Sequence, residues 1–135
     1  VFLKEVRMVK NSQTFLLGKF SLKKRWLSVY IATRGFRSFL TTEHNAIIHL
    51  LATLTVIVLI ILLPVSRLEI ILLVIVTGLV WAAELFNTAI EKLIDFISIE
   101  KDSKIKFIKD VAAAAVLVAA VVAFIIGCLI FIPKF

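Results

Sequence analysis

The stretch IILLVIVTGLVWAAELFNTAIEKLID, residues 70–95, decides the fold because it joins a long apolar run to a polar stripe. From residue 70 to residue 90 the run carries one formal charge, Glu84, and it is long enough to cross a bilayer as a helix. At about 100° per residue, four more polar side chains fall within roughly 60° of Glu84: Asn87, Thr88, Glu91 and Asp95. The pattern predicts a membrane-spanning helix whose single polar face meets something other than lipid.

The composition indicates an integral membrane protein with room for one domain. Hydrophobic residues make up 61% of the 135 residues, against about 45–50% apolar residues in soluble chains. The formal net charge of +7 comes from Lys and Arg residues that flank the apolar runs, which favours contact with anionic lipid headgroups over nucleic acid binding. We therefore expect the lipid bilayer, and no nucleic acid, among the partners.

Two further uncharged runs predict two more spans, so the expected fold is an all-α membrane protein with three transmembrane helices. Pro64 and Pro133 follow the first and the last run, where proline ends a helix. The spans are predicted at about 46–63, 70–90 and 111–132.

The region before the first span predicts an amphipathic helix over about 22–42 that lies in the membrane interface. Aromatic and aliphatic residues recur there at helical spacing beside Lys and Arg. A basic tail without regular structure is the alternative. Residues 1–21 are interpreted as an N-terminal tail, in part a non-native extension, and residues 22–135 as a single membrane domain.

The distribution of positive charge predicts the orientation. Nine Lys or Arg residues precede Ala46 and five lie between Glu91 and Asp110, whereas Arg67 is alone in the first link and Lys134 is alone at the end. Cytoplasmic segments carry the excess of Lys and Arg, so we expect a cytoplasmic N-terminus and an external C-terminus.

Polar residues at the ends of the three runs converge on one membrane level. Glu84 lies about 22 Å inward from the charged link before its run, near the cytoplasmic side of the hydrocarbon, where an acid needs polar cover. Glu43 precedes the first span at this level, and the pair at 109–110 opens the third. Lys92 points off the stripe, so counter-charge is expected from Mg²⁺, from Lys109 or from another subunit. Acids at such a boundary suit Mg²⁺ held together with phosphates, which indicates phosphoryl transfer.

Two other patterns bear on the chemistry. The four glycines form neither GxxxxGK[ST] nor GxGxxG, which excludes these nucleotide-binding loops. His49 follows Asn45 by one turn inside the first span, and both a packing hydrogen bond and a ligand role are open for it.

Three motifs resemble the small prokaryotic diacylglycerol kinases, integral membrane enzymes that phosphorylate a lipid alcohol with MgATP. The motifs are Gly35-Phe-Arg37 followed by Glu43-x-Asn45-x-x-Ile48-His49, Glu84-Leu-Phe-Asn87-Thr-Ala-Ile-Glu91-x-x-x-Asp95, and Lys109-Asp110-x-Ala-Ala-Ala-Ala-Val. The likeness covers residues 22–135 and implies a homotrimer in the bacterial inner membrane, with active sites shared between neighbouring subunits. Phe107-Ile108 depart from the small residues that the family usually has there.

The resemblance also implies roles for individual residues. Glu84 is the expected general base that takes the proton of the lipid hydroxyl, and Asn87 is expected to position the base or the substrate. Glu43 and Glu91 are the expected Mg²⁺ ligands that hold ATP. Arg37 is expected to contact the lipid. The other expected ATP contacts are Lys24 or its neighbour Arg25, Glu100, Asp102, Lys109 and Asp110.

Two lipids compete as the substrate. Residues 43–49 and the ending Ile125-Ile-Gly-x-x-Ile-Phe-x-Pro-Lys-Phe135 resemble the branch that acts on undecaprenol, which is therefore favoured over diacylglycerol. A small cation- or proton-coupled transporter with Glu84 as carrier site is an alternative from another class, although such sites usually lie near the bilayer midplane. A non-catalytic membrane assembly subunit is a third alternative, and it requires the stripe to serve packing alone.

Overall fold

Four helices make up the part of the chain that the computed structural model describes, residues 21–97 and 102–135. Helix α1 spans Leu22–Thr42, α2 spans His44–Leu62, α3 spans Arg67–Ile97, α4 spans Ser103–Phe131, and the 3-10 turn Ile132–Lys134 follows. No strand occurs within these two described ranges. The predicted all-α fold class is confirmed.

The described residues fall into two compact units that meet in sequence after Ser38, one before it and one after it. In the first unit, hydroxyl groups of α1 bond back to their own helix: Ser28 Oγ donates to the Lys24 carbonyl at 3.0 Å and Thr33 Oγ1 donates to the Tyr30 carbonyl at 2.9 Å. Helix α1 covers the range predicted for the interfacial helix. Its place at the membrane surface stays a prediction.

The second unit contains three helices that are long and apolar enough to cross a membrane: α2, α3, and α4 with its 3-10 turn. Their number confirms the three spans predicted from the sequence. Helix α3 has 31 residues, which gives a length of about 46 Å against a hydrocarbon thickness of about 30 Å. It therefore extends beyond the membrane core, and its polar end reaches Ile97.

In the short link between α2 and α3, a proline ends the first helix and a capping box starts the second. Leu63 is extended, with φ −110° and ψ 152°, as expected of a residue that precedes proline. Ser66 N donates to Glu69 Oε2 at 2.7 Å, and Glu69 N donates to Ser66 Oγ at 3.4 Å. Each side chain thus accepts from a backbone N–H that the start of a helix leaves without a partner. Lys134 Nζ lies 3.1 Å from Glu69 Oε1, which joins the end of the chain to the start of α3.

A small apolar core lies at this same end of the second unit. Leu73, Ile130 and Phe131 are buried, and partly buried side chains pack around them from α2, the link and α4: Val56, Leu59, Ile60, Leu63, Val65 and Ile126. Most other large apolar side chains of these helices are exposed. The apolar packing leaves the opposite end of α3 for the polar residues.

Candidate active site

Glu84 and Asn87 are the buried polar residues of the described ranges, with 2% and 6% of their surface exposed. They continue a seam on α3 whose buried members are spaced by three or four residues: Leu73, Val76, Val80, Glu84 and Asn87. This spacing keeps one face of a helix turned inward. The inward face is therefore apolar along most of α3 and becomes polar in its last turns.

Both buried side chains carry an oxygen without a hydrogen-bond partner among the described residues. These atoms are Glu84 Oε2 and Asn87 Oδ1. The Asn87 amide is engaged on its other side, because Nδ2 donates to Glu91 Oε1 at 3.2 Å. A buried acceptor without a donor costs on the order of 1–3 kcal/mol, so both atoms call for a donor that the described residues do not supply.

His49 approaches Glu84 from α2. Its Nε2 lies 3.8 Å from Glu84 Oε2. The His49 ring meets the edge of Trp81, with centroids 6.1 Å apart and planes at 61°. Sequence reasoning left His49 open between packing and ligation, and the structure places it beside the candidate base. Trp81 was not singled out, although it lies one turn before Glu84 and is the one Trp in the apolar run.

Trp81 also joins α3 to α2 by a hydrogen bond. Its Nε1 donates to Thr53 Oγ1 at 3.0 Å, and Thr53 Oγ1 donates to the His49 carbonyl at 2.7 Å. Phe39 packs edge-on against the same indole, with centroids 6.2 Å apart. These contacts link the aromatic group of α3 to the turn of α2 that carries His49.

Ion pairs surround the polar end of α3. Lys92 Nζ lies 3.0 Å from Glu43 Oε1, and Lys109 Nζ contacts Asp95 Oδ1. Of the three sources of counter-charge that the sequence left open for the stripe, Lys109 is the one that contacts it among the described residues, through Asp95. Lys92 pairs with Glu43, which lies between α1 and α2 as the N-cap residue of α2.

The acids of this end fit Mg²⁺ only in combination with phosphates. No group of three or more His, Cys, Asp or Glu side chains within residues 21–97 and 102–135 is arranged to hold a metal. Mg²⁺ commonly takes one or two carboxylates and completes its shell with water and substrate phosphates. Glu43 and Glu91 match that number of carboxylates, and their use as Mg²⁺ ligands stays a prediction.

The remaining predicted residues are distributed over other elements. Asp102 caps α4, where its Oδ1 accepts from Lys104 N at 2.8 Å. Asp110 lies 3.3 Å from Lys106 Nζ, through Oδ2. Lys24 and Arg37 lie on α1 in the first unit, and Glu100 falls outside the described residues. Their roles toward ATP and lipid stay predictions.

A cavity of about 630 Å³ lies between α2, α3 and α4. Its wall is mostly apolar and includes Val56, Leu73 and Phe124, while His49 and Trp81 contribute polar atoms. His49, whose Nε2 lies 3.8 Å from Glu84 Oε2, is one of the residues that line the cavity, whereas Glu84 is not.

The sequence profile of the family described as prokaryotic diacylglycerol kinase matches residues 30–131. The chain belongs to this family. A curated relative, undecaprenol kinase of Bacillus subtilis (strain 168), is 37% identical over 113 residues, which cover 84% of this chain and 92% of the relative. The prokaryotic diacylglycerol kinase family makes this protein a lipid kinase and confirms the resemblance expected from the three motifs. Neither match supports the transporter alternative.

Proposed function

We propose that this lipid kinase transfers the γ-phosphate of ATP to the hydroxyl of a membrane lipid alcohol, with Glu84 as the general base. The observation that carries the proposal is the burial of Glu84 with Oε2 lacking a hydrogen-bond partner among the described residues. A lipid hydroxyl supplies the missing donor. Its proton passes to Oε2 as the hydroxyl oxygen bonds to the γ-phosphorus, and ADP leaves.

Asn87 is proposed to orient the same hydroxyl or the base. The contact from its Nδ2 to Glu91 leaves Oδ1 as the atom free to accept. Two acceptors on successive turns of α3 would hold a hydroxyl in one place, and phosphoryl transfer depends mainly on such positioning.

The proposed nucleotide site lies at the polar end of α3, with Glu43 and Glu91 as ligands of Mg²⁺. The metal, when bound with ATP, neutralises phosphate charge. Lys92 pairs with Glu43, and Lys109 pairs with Asp95. ATP phosphates would draw Lys109 from its acid. The further proposed ATP contacts are Lys24, Glu100, Asp102 and Asp110.

Undecaprenol is the proposed substrate, and diacylglycerol is the second candidate. The preference rests on the relative from Bacillus subtilis, which is named undecaprenol kinase. The mostly apolar cavity beside His49 would accept part of an apolar chain from either lipid. Diacylglycerol is retained because the family carries its name. Arg37 is proposed to contact the lipid in either case.

The proposed assembly is a homotrimer in the bacterial inner membrane, with active sites shared between subunits. The cytoplasmic N-terminus and external C-terminus proposed from the distribution of Lys and Arg would bring the polar end of α3 to the side where ATP is present. The large exposed apolar surface of α2, α3 and α4 is available both to lipid and to neighbouring subunits.

Glu84→Gln tests the proposal because the amide keeps the size of the side chain and cannot take the proton. We expect phosphate transfer to fall by at least about 100-fold, the lower end of the range for general base catalysis. MgATP binding should stay near wild type in Glu84→Gln and weaken in Glu91→Gln, as measured by titration calorimetry in detergent. Full activity of Glu84→Gln would contradict the assignment.

The same assay with two lipids distinguishes the candidate substrates. Purified protein in mixed micelles receives radiolabelled ATP with undecaprenol or with diacylglycerol at equal mole fraction. We expect the higher kcat/KM with undecaprenol. Faster phosphorylation of diacylglycerol would assign the protein to the second candidate function.

A further inference from the structure

His49 lies at the buried acid, and the roles given above leave it without a function. Its side chain is 16% exposed, and its Nε2 is 3.8 Å from Glu84 Oε2. That separation exceeds a hydrogen bond by several tenths of an ångström. Hydrogen bonds in active sites are often long before substrate binds and shorten in the reactive complex. A small rotation of either side chain would bring the two atoms into contact.

The position of the imidazole is determined by Trp81 and Thr53. The Trp81 indole packs edge-on against the ring and donates through Nε1 to Thr53 Oγ1 at 3.0 Å. The Thr53 hydroxyl in turn donates to the His49 carbonyl at 2.7 Å. Trp81 and Glu84 are one turn apart on α3, as His49 and Thr53 are on α2. The indole thus fixes the ring of His49 and the turn that carries it in front of Glu84.

We propose that His49 is a positioning residue for the general base, donating from Nε2–H to Glu84 Oε2 to hold the carboxylate toward the lipid hydroxyl. The inference rests on the proposed function of Glu84. Within the described ranges, no donor makes a hydrogen bond to Glu84 Oε2. The nitrogen that comes within 4 Å of this oxygen is His49 Nε2.

The catalytic consequence follows from the geometry of a carboxylate. An unrestrained carboxylate rotates about its last bond, whereas proton transfer requires one oxygen to lie within hydrogen-bond reach of the reacting hydroxyl. A donor on one side of Oε2 restricts that rotation and leaves the second lone pair of Oε2 for the substrate. His49 therefore acts on the rate of transfer, with little effect on the binding of ATP or lipid.

Substitutions at position 49 separate donation from packing. His49→Phe keeps an aromatic ring against Trp81 and removes the donor, so we expect kcat to fall about tenfold or more, as misplacement of a reacting group does. KM for ATP and for lipid should stay within about twofold of wild type, since binding contacts are unchanged. His49→Gln keeps a neutral donor of similar reach and should recover most of the lost kcat.

A matched control uses the other histidine of the chain. His44 is exposed at the start of α2, and His44→Phe makes the same chemical change without facing Glu84. It should retain the wild-type kcat. The full-length protein is assayed in mixed micelles with MgATP, using undecaprenol and diacylglycerol in parallel, and thermal unfolding is recorded for each variant.

A double-variant cycle assigns the effect to Glu84. Adding His49→Phe to Glu84→Gln should cause no further loss, because a residue that acts through the base has no effect once the base is removed. A second, independent loss in the double variant would overturn the inference, as would wild-type kcat in His49→Phe alone.

The two proposals fail in distinguishable ways. An active Glu84→Gln protein contradicts the proposed function, whereas an inactive Glu84→Gln protein beside a fully active His49→Phe protein contradicts this inference alone. Equal losses in His49→Gln and His49→Phe also contradict it, because the donor would not matter. If His49→Phe does not fold, His49→Asn replaces it in the test. The asparagine side chain is one methylene shorter than that of glutamine, so its amide should not reach Glu84. A His49→Asn protein as active as His49→Gln would overturn the inference.

Discussion

Lys109, one of the proposed ATP contacts, pairs with Asp95. The lysine side chain is 34% exposed and the acid 62% exposed. Exposed ion pairs contribute at most about 1 kcal/mol to stability, so this pair has little structural weight. Because the pair lies beside the proposed phosphate site, we propose that it serves nucleotide binding.

Lys109→Met should raise KM for ATP about tenfold, the loss expected when one charge-assisted contact to a phosphate is removed. Thermal unfolding should change little. Asp95→Asn is the matched control: it breaks the same pair and leaves the lysine available, so KM for ATP should stay the same or fall. Initial rates against ATP concentration measure both. An equal rise of KM in the two variants would show that the pair serves structure instead of nucleotide binding.

Helical periodicity predicted the shared face of Glu84 and Asn87, because both lie on one element. The contact of His49 with Glu84 could not be predicted in this way. It depends on the register of α2 against α3, which is determined by the four-residue link after Leu62 and by the packing of Trp81 on Thr53. Single-helix periodicity contains no information on that register.

Among the helices, α3 uses one buried face both for apolar packing and for the polar residues of the candidate site. Leu73, Val76 and Val80 bury apolar surface, and the same face then buries Glu84 and Asn87. The sequence predicted this span and its polar stripe. It did not predict where the buried face begins, because lipid-facing and protein-facing positions in an apolar helix have the same composition. The exposed Leu79 and the buried Val80 are equally apolar.

Glu84→Leu should increase stability while it abolishes activity. A buried acceptor without a partner costs on the order of 1–3 kcal/mol, and leucine extends the apolar seam without that cost. We expect a higher midpoint of thermal unfolding in detergent and no detectable phosphate transfer. Val80→Ala, four residues earlier in the seam, is the opposite control and should lower the midpoint by creating a void. A lower midpoint for Glu84→Leu would mean that the acid contributes a stabilising contact.

At the scale of the whole molecule, one subunit buries little of its apolar surface. Large side chains on α2, α3 and α4 stay exposed, among them Ile61, Leu68 and Phe124, each above 70%. In a bilayer this surface faces lipid or other subunits. Composition predicted the membrane, but it could not distinguish these two environments, because lipid tails and subunit interfaces both favour apolar side chains.

Mixed trimers test whether active sites are shared between subunits. Glu84 lies on α3 in the second unit and Lys24 on α1 in the first. If each proposed site takes α3 from one subunit and α1 from a neighbour, Glu84→Gln and Lys24→Met subunits should complement each other when refolded together. Random mixing at equal amounts leaves about a quarter of the sites with both native residues in a cyclic trimer, so about a quarter of wild-type activity should return.

The control for complementation comes from a single helix face. Glu84 and Glu91 are two turns apart on α3, so a Glu84→Gln subunit and a Glu91→Gln subunit each carry a defect in the same part of the site. This mixture should gain no activity beyond the average of its two parent variants. Two affinity tags purified in sequence would establish that mixed trimers formed. If tagged mixtures of Glu84→Gln and Lys24→Met are also inactive, each site is built within one subunit, and the sharing proposed here is wrong.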